Sequence, residues 1–343
     1  MRDKGLFMLS VFTIAVLYAN VPSVFAAAPT TPKIVFTSNR DGNAEIYVMN
    51  PEGSGQVNLT HHRAADFDPV WSPSGEQILF VSDRNKTLDL YLMDADGRNV
   101  RQLFLKTLRR QHPTWSPNGK KIAYTRVDVL RGDVGIYVAS INDRVEKRIA
   151  SGMSPMWAPD TSEISYIYSD LFIPLNDGFG GIELQKTNIQ IVDSRTHAKK
   201  ELALLDFPFV FNPAWSPDST KIAFSGIDIS AIPLPVLLQD DHNIFDEKAI
   251  YLMNRDGTAV KQVIEADGEN PSDPTWSPSG DTLVYQRQVG KDTQLFKVTL
   301  ANNISEQITH NGSNTGADWF DPAALSVSPQ PKFLTTMWSQ LKK

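Results

Sequence analysis

Several groups of residues have the types and spacing that chemistry uses. Asp240-Asp241-His242 sets two carboxylates beside an imidazole. Such a set can hold a metal or move a proton. Adjacent acids on a polar loop are ordinarily just solvated, so acid–base catalysis is not expected there. His61-His62 is a second imidazole group. Neighbours on a strand or turn point apart, which argues against a metal pair. A third group appears only at a fixed phase. Three positions before each of six tryptophans stand Asp68, His112, Ser154, Asn212, Asp273 and Gly316, with Asp318 close by. A polar ring of this kind suits water, a cation or the end of a partner's chain. Asp or Asn before Pro is also ordinary turn chemistry, so no metal and no cofactor is assigned. The turns Asp41-Gly42-Asn43 and Asp94-Ala95-Asp96-Gly97 lack the spacing and terminal Glu of an EF-hand. There is no cysteine, which excludes disulfides, thiolate metal sites and a Cys nucleophile.

The tryptophans that set this phase belong to a repeat. Trp71, Trp115, Trp215 and Trp276 each begin the triplet W-S-P. Trp157-Ala158-Pro159 is a near match, and Trp319-Phe320-Asp321-Pro322 is a degenerate sixth. The intervals are 44, 42, 58, 61 and 43 residues. A period in the low forties with two stretched intervals is that of four-stranded propeller blades. Each triplet leads into a turn such as Ser74-Gly75 or Asn118-Gly119, where Gly accepts positive φ. A β-rich run follows, such as Gln77–Val81 or Lys121–Tyr124, then a second such as Glu45–Met49 or Asp89–Met93. The sequence therefore predicts an all-β, six-bladed β-propeller of four-stranded antiparallel blades. One blade cannot bury both its faces, so the tryptophans are expected between neighbouring blades. The chain expected after signal removal starts with Lys33-Ile34-Val35-Phe36, a second-strand motif with no tryptophan before it. Trp319 has no usual second strand after it. The N- and C-terminal strands are thus expected to share one blade and remove the open edges.

Composition bounds the function classes. With 41% hydrophobic and 21% charged residues, the chain is an ordinary globular sequence. Its net charge of −6 argues against a nucleic-acid partner. Arg2 and Lys4 precede the uncharged apolar run Leu6 to Ala19, and Val24-Phe25-Ala26 supplies a small residue for cleavage. This order reads as a signal peptide over 1–26, followed by a linker over 27–32. The propeller is expected over 33–328, without a membrane span once the signal is removed. The tail over 329–343 places Phe333, Leu334, Met337, Trp338 and Leu341 at three- and four-residue steps, the pattern of a short docking helix.

The repeat D-P-x-W-S-P, a Gly or Asn turn and the following I-A-F and I-Y-V-M strands resemble the TolB-type (PD40, WD40-like) propeller family. The likeness runs from about Lys33 to Trp319. It implies an envelope-associated propeller, periplasmic or secreted, that binds another protein or a ligand on one face. Proteins of that type carry an α/β domain ahead of the propeller. Here few residues separate the signal from the first blade, so the resemblance is to the propeller alone. Prolyl oligopeptidase-like propellers look similar, but the chain holds no G-x-S-x-G elbow.

The stretched intervals locate an irregular surface. One insertion, over 169–186, contains Phe172, Ile173 and Phe179. The other, over 227–247, contains Leu234 and Leu237 ahead of Asp240, Asp241 and His242. Both fall between second and third strands of adjacent blades and should emerge side by side on one face. Long apolar loops on a rigid scaffold commonly bind. The expected function is a non-enzymatic, monomeric propeller that takes a protein partner or extended ligand there. Candidate contacts are these loop residues with Asp68, His112 and Asp273 at the channel mouth. Two alternatives stay open: a lyase or glycosidase acting on polysaccharide, and a structural component of an envelope complex. The stretch Arg101, Lys106, Arg109 and Arg110 is a local basic run near the same face that suits an acidic partner, though a solvated strand end is the expected reading.

Overall fold

The structure, a computed structural model, describes residues 27–106, 108–169, 172–174, 182–184, 186–232 and 244–325. Among them, six four-stranded antiparallel sheets form the six predicted blades. Within blade 2 the strands are Asp66–Trp71, Gln77–Ser82, Asp89–Asp94 and Arg101–Gln102, each paired with the next. Blades 3 to 6 repeat that order, starting at Arg109–Trp115, Met153–Trp157, Phe209–Trp215 and Ser272–Trp276. Blade 1 contains Lys33–Ser38, Glu45–Met49 and Val57–Asn58, and its innermost strand is Asn314–Phe320 from the other end of the chain. Ile34 pairs with Trp319, which is the closure expected from the phase of the repeat. Phe320 then lies 5.6 Å from Trp71, so the closing strand packs on blade 2 as well. The outer strands of blades 1 and 2 are two residues long. Short edges of this kind offer little for another chain to pair with.

The tryptophans are core, as their repeat implied. Trp71, Trp115, Trp157, Trp215 and Trp276 are buried. Each sits in an apolar cluster with side chains of the preceding blade: Trp115, for example, packs with Leu79, Val81, Leu90 and Leu92 of blade 2. Two of the indoles also bond across the gap. Trp215 Nε1 donates to the Met156 carbonyl at 3.2 Å, and Trp276 Nε1 to the Ala214 carbonyl at 3.0 Å. Area burial and a hydrogen bond therefore act at the same place, and both depend on the ring being closed.

One expectation is corrected. Arg110 is not on a solvated strand end but fully buried. Its guanidinium donates to Asp89 at 2.8 Å and to Glu146 at 2.9 Å, and lies 4.0 Å above the Phe104 ring. Consecutive residues on a strand face opposite sides, so Arg110 enters the gap between blades 2 and 3 while Arg109 does not. Burial works against its charge, but Glu146 and Asp89 outweigh that and hold the guanidinium above its usual range. Burial likewise works to raise the Glu146 carboxyl, and bonds from Arg110 and the Tyr124 hydroxyl override it.

Among the described residues, no helix is long and apolar enough to cross a membrane. The segments read as signal, 1–26, and as tail helix, with Trp338, lie outside the described residues.

Candidate functional site

Every innermost strand carries the same irregularity. In blade 2, Phe67 pairs with Val81 and Val70 with Leu79, three steps against two. That extra residue is a β-bulge. Equivalent shifts occur at Gln111/Thr114, Met153/Met156, Phe211/Ala214 and Ser272/Thr275, and in blade 1 opposite Val35/Thr37. At each bulge one residue is left-handed: Asp68 (φ 50°), His112 (51°), Ser154 (51°), Asn212 (49°), Asp273 (54°) and Gly316 (57°). These are the six positions three before each tryptophan. Asp, Asn and His are the side chains that tolerate this conformation best after Gly. The proline that follows five of them lacks an N–H and suits the unpaired inner edge of the blade.

The bulges turn all six residues toward the axis, where they line one cavity at the channel mouth. Its volume is about 120 Å³, room for a side-chain end or a few waters but well below a drug-sized pocket. Bonds between blades fix the ring. The Asp68 N–H donates to Thr37 Oγ1 at 3.2 Å, that of Ser154 to Thr125 Oγ1 at 2.9 Å, and that of Asp273 to Ser225 Oγ at 3.1 Å. Asp318 Oδ2 accepts the Trp71 N–H at 2.7 Å. Asn212 Nδ2 donates to Asp273 Oδ1 at 2.5 Å. Within blade 3, His112 Nδ1 lies 3.3 Å from Thr125 Oγ1.

The electrostatics of the ring are dominated by desolvation. Burial raises Asp68 to about 6, against a lowering bond from the His112 N–H. Asp318 is raised to about 6 for the same reason, in spite of backbone bonds from Trp71 and Trp319. Asp273 is also raised, by burial and by the charge of Asp68, while Asn212, His112 and Lys248 oppose the shift. His112 is pushed down to about 4 by burial, and Asp273 pulls it back up. At neutral pH the mouth thus holds the desolvated carboxylates of Asp68 and Asp318 beside a neutral His112 imidazole. Among the described residues no three His, Asp or Glu side chains gather as a metal site.

The structure brings together Asp68, His112 and Asp273 as the sequence suggested. Phe172 and Ile173 lie on a short strand, Phe172–Pro174, paired with Ile182–Leu184 inside the first insertion. Phe179, Leu234, Leu237, Asp240, Asp241 and His242 lie outside the described residues. Lys248 is a cation acting on the ring that sequence reasoning missed. It stands one position past the second insertion, with its ammonium 5.6 Å from the Phe211 ring. Burial lowers its pKa and the charge of Asp273 works against that. The signal for the ring itself was present in the residue types. Only Gly, Asp, Asn, Ser and His occur at the six positions, and the glycine marks the positive φ.

Residues 18–168 match the family model described as the TolB beta propeller domain. Over 47 residues the chain is 43% identical to the Tol-Pal system protein TolB of Geobacter sulfurreducens and 36% identical to that of Syntrophotalea carbinolica. Each match covers 14% of this chain and 11% of the relative, so the shared stretch spans about a ninth of those proteins. Among solved structures, TolB from Acinetobacter baumannii superposes with a TM-score of 0.66 at 18% identity, covering 84% of this chain and 66% of that one. A putative TolB from Agrobacterium tumefaciens gives 0.60 at 16% identity, covering 84% and 92%. At these identities the structural likeness speaks for the fold. Repeat, family model and superposition agree on a propeller fold that is similar to the TolB propeller.

Proposed function

We propose that this chain is a non-enzymatic binding propeller of a bacterial cell envelope, which holds a segment of another protein at its channel mouth. The observation that carries the reading is the ring of six left-handed bulges. It aims the desolvated carboxyl groups of Asp68 and Asp273 at one small cavity, which Asp318, two residues past Gly316, also lines. Non-glycine residues in this conformation cost free energy, as do desolvated carboxyl groups that make no direct ion pair. A fold keeps both where something else completes them. A partner side chain bearing N–H donors or a positive charge has the right chemistry, and a cavity of about 120 Å³ has the right size. The insertions over 169–186 and 227–247, with Phe172, Ile173, Phe179, Leu234, Leu237 and the 240–242 acids and imidazole, extend the contact on the same face. The envelope setting rests on the signal-like N-terminus and on relatives that are Tol-Pal system proteins.

Photo-crosslinking in the native cells tests this. A crosslinking residue replaces Thr275 or Met156 at the mouth, or Lys120 on a turn of the opposite face. The expected result is one adduct of defined mass at the mouth positions, lost when Asp68→Asn and Asp273→Asn are combined. Adducts of equal yield at Lys120, or none at the mouth, would refute the reading.

A further inference from the structure

The rim of blades 2 and 3 carries a second surface that the channel mouth does not use. Leu130 is 99% exposed and Leu105 is 96% exposed. They come from different loops of one rim. Leu130 caps the hairpin that joins Lys121–Asp128 to Asp133–Ser140, beside Val129, which is also exposed. Leu105 lies in the connection from blade 2 to blade 3. The register places the two together: Arg109, just after that connection, pairs with Val127, just before the hairpin tip. The blade 2 turn with the exposed Lys86 borders both, since the Arg110 N–H donates to the Leu88 carbonyl at 3.0 Å.

Cations surround these leucines. Lys106 follows Leu105 directly and is exposed, and Arg131 follows Leu130 and is exposed. Neither Lys106 nor Arg109 has an ion-pair partner among the described residues, and Arg109 Nε is buried without a hydrogen bond. Arg131 meets Asp128 only at 3.8 Å. The other acid of the hairpin, Asp133, is taken by Arg148 at 2.9 Å. A local excess of positive charge thus stands on a chain whose net charge is −6.

Single exposed leucines are ordinary on protein surfaces. Two at full exposure on adjacent tips, each followed by a cation, are a different arrangement. Convex tips suit a soft medium that closes around them, whereas a folded protein partner is met best by flat or concave surface. A lipid interface accepts apolar tips among its acyl chains and gives its anionic headgroups to the cations at their base. We propose that the Leu105 and Leu130 rim is a docking surface for an anionic lipid bilayer.

The absence of native cysteine makes the test site-specific. Leu105→Cys, Leu130→Cys and, on the opposite face, Ile304→Cys are each labelled with an environment-sensitive fluorophore in the full chain. Vesicles of phosphatidylglycerol and phosphatidylcholine are then added. The expected result is a blue shift at positions 105 and 130 and none at 304. Adding Lys106→Gln with Arg131→Gln weakens vesicle affinity about twenty-five-fold, from about fivefold per basic residue near a charged surface. Pure phosphatidylcholine vesicles give no shift. No shift at 105 and 130 on anionic vesicles overturns the proposal, as does an equal shift on neutral ones. A shift produced by soluble polyglutamate without vesicles also overturns it, in favour of an acidic protein. All substituted side chains are exposed, so thermal melts should match the parent.

Discussion

Asp68→Asn separates the demands of folding from those of binding. Asp68 is raised from 3.8 to about 6 because protein surrounds it. The folded state therefore holds the proton more tightly than the unfolded chain does. The favourable contribution is complete below pH 3.8 and is lost as pH rises through about 6. A difference of about two pH units at about 1.36 kcal/mol each sets a ceiling of about 3 kcal/mol. Part of the side chain meets channel water, which screens it, so about half of that is expected. Asparagine tolerates φ near 50°, and its Oδ1 can still accept the His112 N–H, so the backbone is not perturbed. The variant should be more stable than the parent by about 1.5 kcal/mol at pH 7.5. That gain should shrink to nothing by about pH 4. Urea unfolding at pH 4, 6 and 7.5 measures both, with unchanged m-values. A variant equal to or weaker than the parent at pH 7.5 refutes the reasoning, and so does a gain that does not depend on pH. The same substitution should weaken partner capture at the mouth, which would make this carboxylate a site kept at a cost in stability.

Three further outcomes follow from the packing. Arg110→Met strands Asp89, which is wholly buried, and should cost about 3–5 kcal/mol; pairing it with Asp89→Asn should recover part of this in a double-mutant cycle by chemical denaturation. Gly75→Ala puts a Cβ 2.2 Å from the Phe320 ring at φ +71°, so loss of at least about 2 kcal/mol is expected, with Phe320→Leu in the same chain giving partial relief; a melt within a degree of the parent would show that the closing strand adapts freely. Trp276→Phe removes the bond to the Ala214 carbonyl across blades 5 and 6 and should cost about 1–3 kcal/mol, read as a lowered urea midpoint at constant m-value.

Much of this was written in the chain order. Six tryptophan triplets at a near-constant period specify blades, because each unit has a β face that only a neighbour can cover. The unmatched Lys33–Phe36 motif and the leftover Trp319 specify how the ring closes. The stretched intervals mark the irregular blades for the same reason. These are local facts, carried by periodicity and residue type. The polar ring was also visible, as a column of residues at one phase, though not its conformation. What a residue does once blades press together lies beyond that reach. Arg109 and Arg110 look alike in sequence, but strand alternation and the Asp89 and Glu146 carboxylates of two blades make one a buried tie and leave the other at the rim. Lys248, whose ammonium lies over the Phe211 ring of blade 5, comes within reach of the Asp273 charge only once blade 6 packs beside it. The raised carboxyls of Asp68 and Asp318 exist only after closure, since no local segment can remove water from a side chain that five other blades must surround.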